Sequence, residues 1–215
     1  MKLRSAHLTH SMLALVVLLA ACTSPERSRS LLTTNVAAST IAMQLCSNCH
    51  GMKGISDSPN FPNLAAQPET YLISQLQGFR GHTRSDKDGY DYMWGITANL
   101  NDEQIAGLAR YYSEQAPASR KPGSDTKVSA GKVIYEQGIA AQSVPACISC
   151  HGEHAEGNQT FPRLAGQHSE YLKKQLTVFQ LTNQRPDGAV MKAITHSLSP
   201  KDMENIADYL QSISP

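Results

Sequence analysis

Apolar positions fall into the same rhythm twice along this chain, about a hundred residues apart. Ile105, Leu108, Ala109 and Tyr112 are spaced i, i+3, i+4 and i+7, which lines one face of a helix. Asn101 stands before that stripe with Gln104 at the N3 position, so each can satisfy the other's backbone N–H at the helix start. Met203, Ile206, Ala207, Leu210 and Ile213 repeat the stripe, with Ser199 as cap and Pro200 at the first helical position. Earlier in each copy, Leu72, Leu76 and Phe79, and then Leu172, Leu176 and Phe179, predict a second amphipathic helix starting near Gln67 or Gln167. No run alternates as a strand would.

The repetition extends beyond the helices. Phe61-Pro62-Asn63-Leu64-Ala65-Ala66-Gln67 matches Phe161-Pro162-Arg163-Leu164-Ala165-Gly166-Gln167 at an offset of 100, and Tyr71 and Gln75 match Tyr171 and Gln175. The register then slips by two, so that Met93, Leu100 and Tyr111 correspond to Met191, Leu198 and Tyr209. Self-similarity at this period means a duplicated unit of ordinary domain size. Ser113 to Ala130 is rich in Ala, Pro, Ser, Lys and Gly and lacks apolar periodicity, so it reads as a connection. We expect domains at 36–113 and 128–215 joined by a linker at 114–127.

Composition adds an export signal. With 40% hydrophobic residues in 215 the chain reads as globular, and its one long apolar run, Met12 to Ala20 after Lys2 and Arg4, is too short to span a bilayer. Residues 1–21 read as a signal peptide and 22–35 as a tether. Leu19-Ala20-Ala21-Cys22 resembles the lipobox of bacterial lipoproteins, in which the cysteine becomes the first mature residue and carries lipid. Ordinary cleavage with Cys22 left as a spare thiol is the alternative. By the lipoprotein resemblance, Thr23 in place of Asp points to the outer membrane. Loss of Lys2 and Arg4 leaves 17 basic against 18 acidic side chains, a formal charge of −1, where a nucleic-acid binder would be basic.

The remaining four cysteines form Cys46-Ser47-Asn48-Cys49-His50 and Cys147-Ile148-Ser149-Cys150-His151, the C-x-x-C-H pattern of covalent haem attachment. Two thiols three positions apart can each add across one haem vinyl group, while the adjacent imidazole reaches the iron. A redox dithiol, half a zinc site or a disulfide would use the cysteines and leave the histidine unexplained. Two covalent haem c groups also supply apolar surface that such small helical units need.

The sixth iron position separates electron transfer from catalysis, because a filled position leaves no room for substrate. Met12 leaves with the signal, Met43 and Met52 lie beside a haem motif, and Met203 belongs to a helix face. Met93 and Met191 remain, each read as lying in a loop eight residues before a helix cap, 43 and 40 residues beyond their histidines. The alternative is that both are ordinary core methionines. His82, His154, His168 and His196 have no matching histidine in the other copy and read as surface or supporting groups. A thioether is a soft, neutral ligand that favours ferrous iron, as suits a carrier at fairly positive potential.

Together the tandem C-x-x-C-H, Phe-Pro-x-Leu-Ala-x-Gln and late methionine elements closely resemble the cytochrome c4 family of bacterial dihaem cytochromes, over residues 36 to 215. The resemblance implies an all-α fold of two class I cytochrome c domains related by a pseudo-twofold axis, with haem propionates meeting at the domain interface. It implies that His50 and Met93 ligate one iron and His151 and Met191 the other. It further implies that Pro62 and Pro162 accept a hydrogen bond from the ligand histidine, although simple stiffening of the loop is the alternative. The first copy lacks the Gly-Lys-x-x-Tyr-x-x-Gly run seen at Gly131, Lys132, Tyr135 and Gly138, so its opening helix should be short. The lipobox is not a general feature of the family.

The expected function is that of a non-enzymatic periplasmic carrier, lipid-anchored through Cys22 to a membrane surface. It would pass electrons from a respiratory donor to a terminal oxidase or reductase. A cytochrome subunit of a larger dehydrogenase complex would share every motif. A haem enzyme, such as a peroxidase or an oxidase of sulfur compounds, would need an open iron and local acid–base groups that the sequence does not display.

Overall fold

The computed structural model describes residues 36–119 and 124–214. The expected signal, the tether and Cys22 lie outside them. Each element follows from local chemistry, and the two copies use it differently at their starts. In the first, helix α1 (Ala38–Ile41) is a single turn that widens through a π-helical turn at Ala42–Cys46 and runs into α2 (Ser47–His50). Helix α3 (Glu69–Arg80) follows a loop, a second π-helical turn covers Gly89–Met93, and α4 (Trp94–Thr97) leads to α5 (Asp102–Ser113). In the second copy α6 (Asp125–Gln137) is a full helix closed at Gly138, and a loop separates it from α7 (Ile148–His151). Helices α8 (Ser169–Leu181), α9 (Ala189–Thr195) and α10 (Pro200–Ser212) complete it.

The described residues hold no strand, only isolated bridges at Ile139 with Val144 and Asn158 with Phe161. Reciprocal caps stop both closing helices from fraying. Asn101 accepts from the Gln104 N–H at 2.8 Å while Gln104 accepts from the Asn101 N–H at 3.0 Å, and Ser199 and Asp202 do the same at 3.2 and 3.0 Å. The middle helices begin at Glu69 and Ser169, just beyond Gln67 and Gln167 as expected. Those glutamines are taken up by contacts to the other copy, described below.

Each copy has its own core. Ile41, Leu72, Leu100, Ile105, Leu108, Ala109 and Tyr112 pack in the first, where Tyr135, Leu172, Leu198, Met203, Ile206, Ala207 and Leu210 pack in the second. Helix α6 starts at Asp125, inside the stretch read as a linker and ahead of residue 128. Its first turns are held by partners remote in sequence: Lys127 Nζ donates to Glu204 at 2.7 Å, and Gly131 lets α6 run so close to α10 that a Cβ there would sit 2.0 Å from the Asn205 carbonyl oxygen. Close backbone approach replaces the apolar stripe whose absence made the segment look structureless. Both copies belong to one compact unit.

Candidate functional site

The two histidines close the short helices α2 and α7, where Gly51 and Gly152 turn the chain at φ 75° and 90°. Both imidazoles are buried. His50 Nδ1 lies 2.9 Å from the Pro62 carbonyl oxygen, and His151 Nδ1 lies 3.0 Å from that of Pro162. A carbonyl can only accept, so Nδ1 carries the proton and Nε2 keeps its lone pair for a metal. Burial holds both histidines below their ordinary pKa, against the opposite pull of these bonds, and so keeps them neutral. Phe61 and Phe161 stand edge-on to the imidazoles with ring centroids 6.1 Å apart in each copy.

None of the four paired cysteines is joined to another in a disulfide. Burial raises Cys46 above its ordinary pKa and pushes Cys147 up to about 11. A reactive redox dithiol needs the opposite shift, so the environment argues against that reading.

Met93 and Met191 do not lie in loops. Met93 ends the π-helical turn and Met191 sits within α9. The backbone is pinned in the same way in both: Thr97 Oγ1 donates to the Met93 carbonyl and Thr195 Oγ1 to the Met191 carbonyl, each at 2.8 Å, and both threonines are fully buried. The repeated Ile-Thr four residues after each methionine was the available signal for these contacts. One largely apolar cavity of about 660 Å³ runs through both copies and takes in all four thiols, His50, His151, Met93 and Met191. Four thiols, two neutral imidazoles and two thioethers around an apolar space fit two covalently held haems.

Polar side chains that the sequence reading gave no role join the copies around that cavity. Gln167 accepts from the Asn63 N–H and donates to the Asn63 carbonyl, both at 2.9 Å, while Gln67 treats the backbone of Arg163 likewise at 3.0 and 2.8 Å. Arg84 donates to Gln75 of its own copy at 2.7 Å, and Arg185 donates to Gln175 at 2.5 Å and across to Gln75 at 2.8 Å. Each guanidinium lies over the phenylalanine of its own copy, Phe79 at 4.4 Å and Phe179 at 4.6 Å. Asp86 pairs with Arg84 at 2.8 Å. Repetition of Gln67 and Gln75 in the second copy was legible, but their partners were not. His168 is buried in the same interface, its Nε2 donating to the Ser56 carbonyl at 3.0 Å, whereas His154 and His196 are exposed and His82 stacks on Trp94 with centroids 4.0 Å apart.

Comparison with known proteins places these features in context. The Cytochrome c family model matches residues 36–114 and again 128–214. Cytochrome c4 of Azotobacter vinelandii is 38% identical over 178 residues, covering 79% of this chain and 84% of that protein. The crystal structure of reduced recombinant cytochrome c4 from Pseudomonas stutzeri superposes with a TM-score of 0.76 at 32% identity, covering 83% of this chain and 97% of that one. A thiosulfate dehydrogenase electron acceptor of Thiomonas intermedia is 30% identical over 177 residues, with 79% of this chain and 80% of that protein covered.

Proposed function

The chain belongs to the cytochrome c family, in its dihaem c4 branch, and from that premise we propose that it shuttles electrons between respiratory proteins through two iron centres of matched His/Met ligation. It carries two covalently bound haem c groups and is an electron-transfer protein. Cys46 and Cys49 hold one haem and Cys147 and Cys150 the other. His50 with Met93 would hold one iron, and His151 with Met191 the other. When bound, haem supplies a reversible one-electron couple at iron, and the sulfur ligand favours the ferrous form. The chain's own residues do the rest. The Pro62 and Pro162 carbonyls fix the tautomer that leaves each Nε2 free, and the Thr97 and Thr195 hydroxyls anchor the backbone that carries each methionine. The apolar lining excludes water and favours the form with less net charge. Arg84, paired with Asp86, and Arg185, held by the neutral amides of Gln75 and Gln175, line the cavity, which suits them to receive haem propionates.

The observation that carries this reading is the presence, in each copy, of one neutral histidine and one backbone-anchored methionine on the same thiol-bearing cavity. Redox titration of the mature protein, made in a host that attaches haem, tests it. Met93→Ala and Met191→Ala should each lower one midpoint potential and convert one haem to high spin. Unchanged titrations would remove the ligand assignment.

We propose a periplasmic location, a lipid anchor at Cys22 and delivery to a terminal oxidase or reductase. Mass analysis of the mature N-terminus tests the anchor, since an unmodified Cys22 would remove it. A second reading is supported by the similarity to the Thiomonas intermedia protein: the chain would accept electrons from a dehydrogenase that oxidises thiosulfate. Reduction of the purified protein by such an enzyme, at a rate that saturates with thiosulfate, separates the two.

A further inference from the structure

The two copies bury one tyrosine each beside the first cysteine of their haem motif, but they take it from different helices. In the second copy it is Tyr135 of α6, fully buried, whose hydroxyl donates to the Gly152 carbonyl at 2.6 Å. In the first copy the opening helix carries Ala42 in its core, and the phenol comes instead from Tyr112 on α5, at the position that Leu210 holds in α10. The two rings fill related places, because Tyr112 packs on Tyr111 and Tyr135 on Tyr209, the corresponding tyrosines of the closing helices, with centroids 5.1 and 5.6 Å apart.

The exchange is compensated in the loop beyond the histidine. Gly54 and Ala155 are equivalent: each carbonyl accepts from the two residues that follow the haem-loop proline by two and three positions, at 2.7 and 3.0 Å from Leu64 and Ala65, and 2.8 and 3.0 Å from Leu164 and Ala165. A Cβ on Gly54 would lie 2.7 Å from Tyr112 Cδ1. The second copy, with Leu210 there, carries that Cβ as Ala155 and buries it completely. Glycine at 54 therefore makes room for the ring at 112.

The fates of the hydroxyls differ. Tyr112 is 3% exposed, lines the cavity, and its hydroxyl is sealed from solvent with no hydrogen-bond partner among the described residues. The group it faces is the Cys46 sulfur, which packs on the same core. Attachment of haem turns that thiol into a thioether, which has no proton to give and can only accept weakly. We propose that Tyr112 donates a hydrogen bond to the sulfur joining Cys46 to the first haem, a contact that the second haem lacks, and that this bond distinguishes the two otherwise matched centres. Drawing electron density from the haem edge stabilises the electron-rich ferrous state, so Tyr112 raises the first haem's potential. Tyr135 leaves the second haem's sulfur alone because its proton is committed to a backbone carbonyl.

The inference rests on the covalent haem reading, and the test separates the two. Tyr112→Phe keeps the ring against Gly54 and removes only the hydroxyl. With two haems per chain verified by mass in the parent and the variant, spectroelectrochemical titration should show the first haem's midpoint lowered and the second's unmoved, the first wave being assigned by its displacement in Met93→Ala. In the reduced, diamagnetic parent, the Tyr112 hydroxyl proton should show a nuclear Overhauser contact to the thioether bridge at Cys46. Both midpoints unchanged, both shifted alike, loss of the first haem from the variant, or absence of the Overhauser contact would overturn the proposal. Fewer than two haems in the parent would instead remove the reading on which it stands.

Discussion

Arg185 of the second copy and Gln75 of the first meet at 2.8 Å, Nη2 to Oε1, and the same oxygen accepts from Arg84 at 2.7 Å. One amide oxygen thus serves a guanidinium from each domain. Gln75→Leu keeps the side chain's bulk but leaves two cations short of an acceptor, at a cost of about 1–3 kcal/mol, and more where the donor is fully buried. The haem-loaded variant should unfold at lower denaturant in both domains when followed by haem absorbance. A change confined to the first domain would show that the contact does not join them.

Asp86 gives the interface a pH dependence. It is 1% exposed, and burial alone would raise its carboxyl, but the charge and hydrogen bond of Arg84 outweigh burial and hold it below the ordinary carboxylate range. Its folded pKa therefore lies below the unfolded one, the unfolded chain takes up the proton first as pH falls, and the stabilisation is complete above about pH 4 and disappears as pH drops through the folded value. Asp86→Asn lacks this contribution. The stability difference between parent and variant should be constant from neutral pH to about pH 5 and should shrink below about pH 4. A difference that stays constant throughout the acid limb would show that Asp86 is not held ionised.

Thr97 Oγ1 and the Met93 carbonyl are 2.8 Å apart in the core, as are their counterparts Thr195 and Met191. Thr97→Val preserves shape and removes the bond, costing about 1 kcal/mol in stability. Optical and magnetic spectra should show weaker methionine ligation at the first haem alone, and Thr195→Val should produce the same effect at the second. Equal effects on both haems from either variant would contradict a local role.

Helix crossing predicts an asymmetry between domains. At Gly131 an added methyl meets the Asn205 carbonyl oxygen at 2.0 Å, while at Gly107, the position in the first copy that corresponds to Asn205, it meets the Ala38 Cβ at 3.2 Å. Gly131→Ala should cost about 1–3 kcal/mol through forced separation of α6 and α10. Gly107→Ala should cost less, because a methyl contact yields by a few tenths of an ångström and alanine favours the helix. Denaturant midpoints in the reverse order would refute this packing.

The residues by themselves determined whatever depends on short-range geometry: the thiol–thiol–imidazole spacing, the period of the helix faces, the caps at Asn101 and Ser199, and the duplication that places Met93 and Met191 alike. These patterns are legible because bond lengths and helical pitch fix them within a few positions. The tertiary structure alone decided that Met93 and Met191 lie on helical turns, that Asp125–Gln137 is helix, that Gln67 and Gln167 reach across to the other copy, and that Tyr112 fills the place for which Gly54 makes room. Each of those outcomes is set by atoms that come within a few ångströms of each other from distant positions in the chain, and no local period carries that information.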